Sequence, residues 1–184
     1  MLAVVGITGE WRHRTITSSL LAAPDRTRFL AAKTLAFTSA GLLLSLLISL
    51  PVTVLGMAIL LVRDLPTPDA GELAAQIGRN AVVAMLLGAL GVGIGAAVRN
   101  QVVAVVAMLA VLFVVEPVLI GLAPDVGRYG PFVALPTAAA GIPEADAGLQ
   151  GVDLLAPAVA MGLMLAWTSL PAPRFCAAAT STSC

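Results

Sequence analysis

The chain has 184 residues, of which 59% are hydrophobic and 11% charged, and its ten Lys and Arg balance its ten Asp and Glu. Its mean hydropathy is +1.01. A soluble domain carries about 25% charge, and a chain this short has no interior large enough for so much apolar surface. Composition therefore assigns an integral membrane protein and excludes a soluble globular domain. Zero net charge gives no reason to expect nucleic acid as a partner. The two cysteines, Cys176 and Cys184, lie in the tail and suggest neither a disulfide framework nor a metal site.

Residues 1–7 are apolar but too short to span, since seven helical residues reach about 10 Å against roughly 30 Å of hydrocarbon. They also lack the basic start of a signal peptide. They read as the last two turns of a helix whose start lies upstream, or as a short interfacial segment. Residues 8–33 are polar and basic. Within residues 10–33 lie Arg12, Arg14, Arg26, Arg28 and Lys33, half of all the basic residues, together with His13, the single histidine. Ile16, Leu20 and Leu21 fall at helical spacing, which predicts an amphipathic helix at the membrane surface. Pro24 ends it, and Asp25 is positioned to cap the next helix.

Four full spans follow, at about residues 34–62, 80–98, 102–122 and 154–170, so the fold class is all-α, a polytopic helical bundle with the end of a fifth span ahead of it. Pro51 falls near the middle of the first span, where it removes a backbone hydrogen bond and predicts a kink. Residues 63–79 form a polar loop, with one or two interfacial turns expected over 71–77. Only Arg99, Asn100 and Gln101 separate the second and third spans, predicting a tight antiparallel hairpin. Residues 123–153 form the longest connection. Its apolar, proline-broken part at 131–140 is expected to be a re-entrant or interfacial piece packed on the helices. Trp167 lies near the end of the fourth span, as an interfacial aromatic does.

Orientation follows from the basic block. With residues 10–33 on the cytoplasmic side, alternation of the spans leaves seven Lys and Arg inside and three (Arg63, Arg79 and Arg128) outside. That bias is the one expected of a membrane protein oriented this way, in the plasma membrane with multiple passes. Residues 123–153 then lie on the extracytoplasmic side.

Glu116 is the one ionisable residue inside a span. A carboxylate at the centre of a membrane helix costs about 3 kcal/mol on insertion scales, so such groups face protein or a water-filled cavity. Glu116 reads either as a group that lines a pathway or pins a helix, or as one near enough to the outer interface to reach water. In the second span, Gly88, Gly91, Gly93 and Gly95 superficially resemble a nucleotide-binding loop. That motif needs a preceding strand. Inside an apolar helix, small residues such as the Ala84/Gly88 pair make faces for close helix contact. No metal-binding, nucleotide-binding or protease motif appears, and no catalytic pair can be assembled.

Three stretches together resemble the permease subunits of ABC-2-type ABC transporters, especially actinobacterial ones. They are Glu10-Trp-Arg-His-Arg-Thr-Ile-Thr, then Leu20-Leu21-Ala-Ala-Pro24, then Arg28-Phe-Leu-Ala-Ala-Lys33. The hairpin sequence from Gly91 to Gln101, and Glu116 after its apolar run, continue the likeness in the same order to about residue 122. The resemblance implies a permease that binds no cofactor and is not itself an enzyme. It pairs with a second permease copy, identical or different, and couples to a separate ATPase subunit that holds the ATP. Residues 8–33 would be the coupling region, with Glu10, Arg12, Arg14, Thr15, Leu20, Leu21 and Pro24 facing the ATPase. The alternative for that segment is a basic anchor to anionic lipid headgroups. Family members have six spans, so this chain reads as an incomplete or frame-shifted permease. The alternative function is a non-transporting membrane scaffold or assembly protein, or a non-functional remnant.

Overall fold

The computed structural model describes residues 26–98, 100–149 and 151–169. The apolar start, the coupling residues Glu10, Arg12, Arg14, Thr15, Leu20, Leu21 and Pro24, the cap residue Asp25, and the tail with Cys176 and Cys184 lie outside them. Every regular element among the described residues is helical.

Helix α1, Arg26–Val62, is 37 residues long and continues through Pro51. Beyond Lys33 it carries no charge, and at 1.5 Å per residue it is about 55 Å long. Its hydroxyls fit an apolar setting by bonding back to the helix: Thr38 donates to Thr34 O, Ser39 to Ala36 O and Ser49 to Ser45 O. The helix closes on Asp64, whose φ of 51° is left-handed. Leu65 N then donates to Leu60 O at 3.0 Å, the long-range bond of a Schellman cap.

Helix α2, Ala70–Ala97, starts ten residues before the second span expected from the sequence. Pro66 and Pro68 confine the loop. The Asp69 side chain accepts from Gly71 N at 3.1 Å, and Glu72 complements the helix dipole in the first turn. The interfacial turns expected over 71–77 are thus the first turns of α2. Its polar residues Gln76 and Arg79 do not break the helix, because partners within the fold take up their hydrogen bonds, and Asn80 accepts from Gln76 through Oδ1.

Helix α3, Gln101–Leu122, begins on an Asn100 cap whose side chain accepts from Val102 N at 3.0 Å. It is α-helical to Ala110, widens into a π-helical turn at Val111–Val115, and resumes as Glu116–Leu122. The wide turn stands immediately before Pro117. Proline lacks the N–H a regular turn would use and crowds the carbonyl four residues back. A single turn, α4 (Pro124–Gly127), and the short helix α5 (Ala134–Ala140) follow, and then α6, Pro157–Ser169.

Helix α2 is central. One side packs on α1 and another on α5 and α6. The core holds Val83 of α2, Leu135, Ala138 and Ala139 of α5, and Ala160 and Met164 of α6. The alanines of α5 let it lie close against its neighbours. Although only a few residues join α2 and α3, the two touch little along their lengths, so the tight antiparallel hairpin is not formed.

Three helices among the described residues, α1, α2 and α3, are long and apolar enough to cross a membrane. The sequence suggested four full spans. The described part of the fourth, α6, has 13 residues, about 20 Å of helix, which falls short of the hydrocarbon thickness. Large apolar side chains stand outward on the long helices, among them Leu35, Leu47 and Val54 on α1 and Val103, Val106 and Phe113 on α3. So many exposed hydrophobics suit lipid rather than water as the surrounding medium.

Candidate functional site

The ionisable residue of α3 is the one charged side chain that is buried among the described residues, with Glu116 only 2% exposed. It does not reach out to solvent. The chain after α3 folds back over it through α4 and the following turn. Phe132 N donates to Glu116 Oε1 at 2.7 Å, and Glu116 Oε2 has no hydrogen-bond partner.

Two glycines allow this cover to lie so close. A Cβ on Gly127 would stand 2.7 Å from Ile120 Cα, and one on Gly130 would stand 2.8 Å from Glu116 Cδ. At Gly127 the neighbour is backbone and leaves no room for a side chain, whereas at Gly130 a side chain would have to displace the Glu116 carboxyl group. Gly130 also presents its carbonyl to Leu135 N at 3.0 Å, which ties the cover to the start of α5. The carboxyl group therefore links α3, through one peptide, to the short helix packed on α2 and α6. Beside this cover the Arg128 guanidinium sits 5.1 Å from the centroid of the Tyr129 ring, and its Nε is enclosed without a partner. A lone carboxyl group held in this way can anchor a loop through one oxygen. It can also take a proton or a cation at the other.

A second polar cluster fixes the far end of α5. Gln76 Nε2 donates to Ala140 O at 3.0 Å and to Asn80 Oδ1 at 3.1 Å. Arg79 Nε donates to the same Ala140 O at 3.1 Å, and its Nη2 to Gln76 Oε1 at 2.7 Å. Cations and donors suit a helix C-terminus, where carbonyls lack partners. Gly141 ends α5 with φ 69°, and a Cβ there would meet Arg79 Nε at 3.2 Å. Arg79, which the sequence places in an outer loop, is thus a half-buried structural residue of α2. Glu144 closes the next loop by accepting from Leu154 N at 3.1 Å.

The glycines of α2 occupy different surroundings. A Cβ on Gly88 would lie 2.7 Å from Phe37 O, and one on Gly41 of α1 would lie 2.6 Å from Ala84 O. The two backbones touch at this crossing, the close approach that small residues permit in membranes. Gly91 and Gly95 are buried and Gly93 is half-buried.

Sequence reasoning missed Gly41, the counterpart of Gly88. The small residues Gly41, Ser45 and Ser49 at intervals of four on α1 were the available signal. It also missed Gly127, Gly130 and Phe132, whose roles depend on a chain reversal that no local pattern announces. Among the described residues no three His, Cys, Asp or Glu side chains gather to hold a metal ion. Comparison with protein-family models, with curated proteins and with solved structures finds no match.

Proposed function

We propose that this chain is a membrane-embedded permease subunit of an ATP-driven exporter of the ABC-2 type. One observation carries the reading: the order of the sequence segments. A basic, amphipathic stretch with Glu10, Arg12, Arg14, Leu20 and Leu21 ends at Pro24 and leads through Lys33 into a long apolar helix. The compact α2–α3 connection and a span bearing Glu116 then follow. The three long apolar helices support a membrane location. The sealed carboxyl group of Glu116 supports a bundle with a polar group placed for a purpose, since an intramembrane carboxyl is kept only where it has a role.

On this reading the membrane is the plasma membrane, crossed by four full spans after the end of a fifth. The segment before α1 faces the cytoplasm and docks on a separate ATPase subunit. ATP binds there and not on this chain. Two permease copies pair to enclose the pathway, and this chain contributes no catalytic residue.

The test is a pull-down in detergent with the ATPase encoded beside the gene, using the wild type and an Arg12→Glu, Arg14→Glu variant. Binding that the variant loses, with its helical content unchanged, supports the coupling surface. If well-folded wild type fails to bind, the permease reading is wrong and a scaffold or remnant takes its place.

A further inference from the structure

A groove of about 580 Å³ lies between α1 and α2, within the range of about 300–1,000 Å³ typical of small-molecule sites. Ser45, Ser49, Thr53 and Asn80 line it, among apolar neighbours such as Phe37 and Ile48. The three α1 hydroxyls recur every four residues and so share one face of the helix. The backbone contacts of Gly41 with Ala84 and of Gly88 with Phe37 set the helices antiparallel. One turn further along, that register brings Asn80 beside Ser45.

These polar groups are not all satisfied from within. Ser49 bonds back to Ser45 O, as Thr38 and Ser39 bond to their own carbonyls. The hydroxyls of Ser45 and Thr53 make no hydrogen bond among the described residues. Asn80 accepts from Gln76 through Oδ1, and its amide nitrogen donates to nothing among the described residues.

Ser45 and Ser49 lie near the middle of the apolar stretch Ala31–Val62, about 20 Å of helix from either end, so water at the interfaces is remote. An unpaired hydroxyl or amide in hydrocarbon is unfavourable, and the groove presents two such groups, Ser45 and Asn80, beside each other, with Thr53 two helical turns further along α1. No charged side chain lines it, so an ionic headgroup would enter without a counterion.

We propose that this groove binds an uncharged, hydroxyl-bearing amphiphile of about the size of a single-chain acylglycerol, which enters sideways from the bilayer. The apolar neighbours hold its chain, and Ser45 and Asn80 bond its hydroxyls. The site is a property of the α1–α2 pair and stands whether or not the chain exports anything.

The test is photolabelling of the full chain in lipid nanodiscs, with a monoolein analogue carrying a diazirine on its acyl chain. The comparison probe has the same chain on a phosphate headgroup. The expected result is saturable labelling of α1 and α2 at the groove, competed by unlabelled monoolein and absent with the phosphate probe. Each hydrogen bond removed should weaken binding about fivefold, so a Ser45→Ala variant should need about fivefold more probe. Asn80→Leu should act in the same direction, and Ala40→Leu should block labelling by filling the groove. These variants remove polar groups or add apolar ones at a half-open face, and circular dichroism verifies that they fold. Labelling spread equally over the outward residues Leu35, Leu47 and Val54 would overturn the proposal, as would saturable labelling that the variants leave unchanged. Efficient disulfide cross-linking of two Ser45→Cys copies would also overturn it, because the groove would then be filled by a second chain.

Discussion

Truncating Glu116 to alanine should release the chain segment that covers it. In the wild type, Phe132 N donates to Glu116 Oε1 at 2.7 Å, and the carboxyl group is 2% exposed. Glu116→Ala leaves that N–H without an acceptor in an enclosed position, which costs about 1–3 kcal/mol. Loss of the enclosed, unpartnered Oε2 offsets part of this. The net loss falls on the local contact, because α5 has its own packing on α2 and α6. At about 1.4 kcal/mol per factor of ten, amide exchange over residues 128–135 should accelerate roughly 5- to 100-fold. Exchange within α1 should not change. Hydrogen–deuterium exchange with mass spectrometry reads both regions in one experiment. Glu116→Gln keeps an acceptor of the same shape and should change exchange by only a few-fold. Gly130→Ala should mimic the truncation, since its Cβ would stand 2.8 Å from Glu116 Cδ. The two substitutions should then be less than additive, because removing the carboxyl group removes the clash. Unchanged exchange at 128–135 in Glu116→Ala, or strict additivity with Gly130→Ala, would refute the reasoning.

Other substitutions probe the rest of the architecture. Gly88→Leu and Gly41→Leu each force a side chain into backbone 2.7 and 2.6 Å away, so each should cost about 1–3 kcal/mol by overpacking. The effect should appear as a lowered apparent melting temperature in detergent. Arg79→Met removes the donors to Ala140 O and Gln76 Oε1; it should cost about 1–3 kcal/mol, with faster exchange at the end of α5. Asp64→Gly should stabilise the protein by up to about 1 kcal/mol, because glycine adopts the left-handed φ of 51° without the strain that a Cβ brings. Asn100→Ala should cost about 1 kcal/mol through the lost cap on α3, and exchange should rise at the first turn of that helix.

Much of the fold was legible because lipid imposes simple rules. Uninterrupted apolar runs gave α1 and α3, and Arg99-Asn100-Gln101 marked the connection between α2 and α3. The start of α2 was misplaced because Gln76, Arg79 and Asn80 look like loop residues in a hydropathy reading. The Ala140 O that accepts from Gln76 and Arg79 lies more than sixty residues away, so nothing local reveals this partner. Separation along the chain also hid the contact of Gly41 with Ala84. Glu116 stood out as an isolated carboxyl in an apolar run. Its cover could not be foreseen, because it depends on Gly127 and Gly130 bringing the backbone back onto α3. Of the fourth span, expected over 154–170, the described helix covers Pro157–Ser169, because an apolar run shows that a segment is buried or in lipid without fixing where its helix begins.

The central claim is that the segment before α1 docks on an ATPase subunit, and site-directed cross-linking tests it most directly. A single cysteine is placed at Arg12→Cys in a background with Cys176 and Cys184 replaced by serine. The chain is expressed with the neighbouring ATPase in native membranes, and a short bifunctional thiol–amine reagent is added. The account expects a cross-link between the two proteins from Arg12→Cys and none from Arg63→Cys, which lies on the opposite side in the proposed orientation. Arg12→Cys giving no cross-link while both proteins are present and folded, or a cross-link from Arg63→Cys, would contradict it.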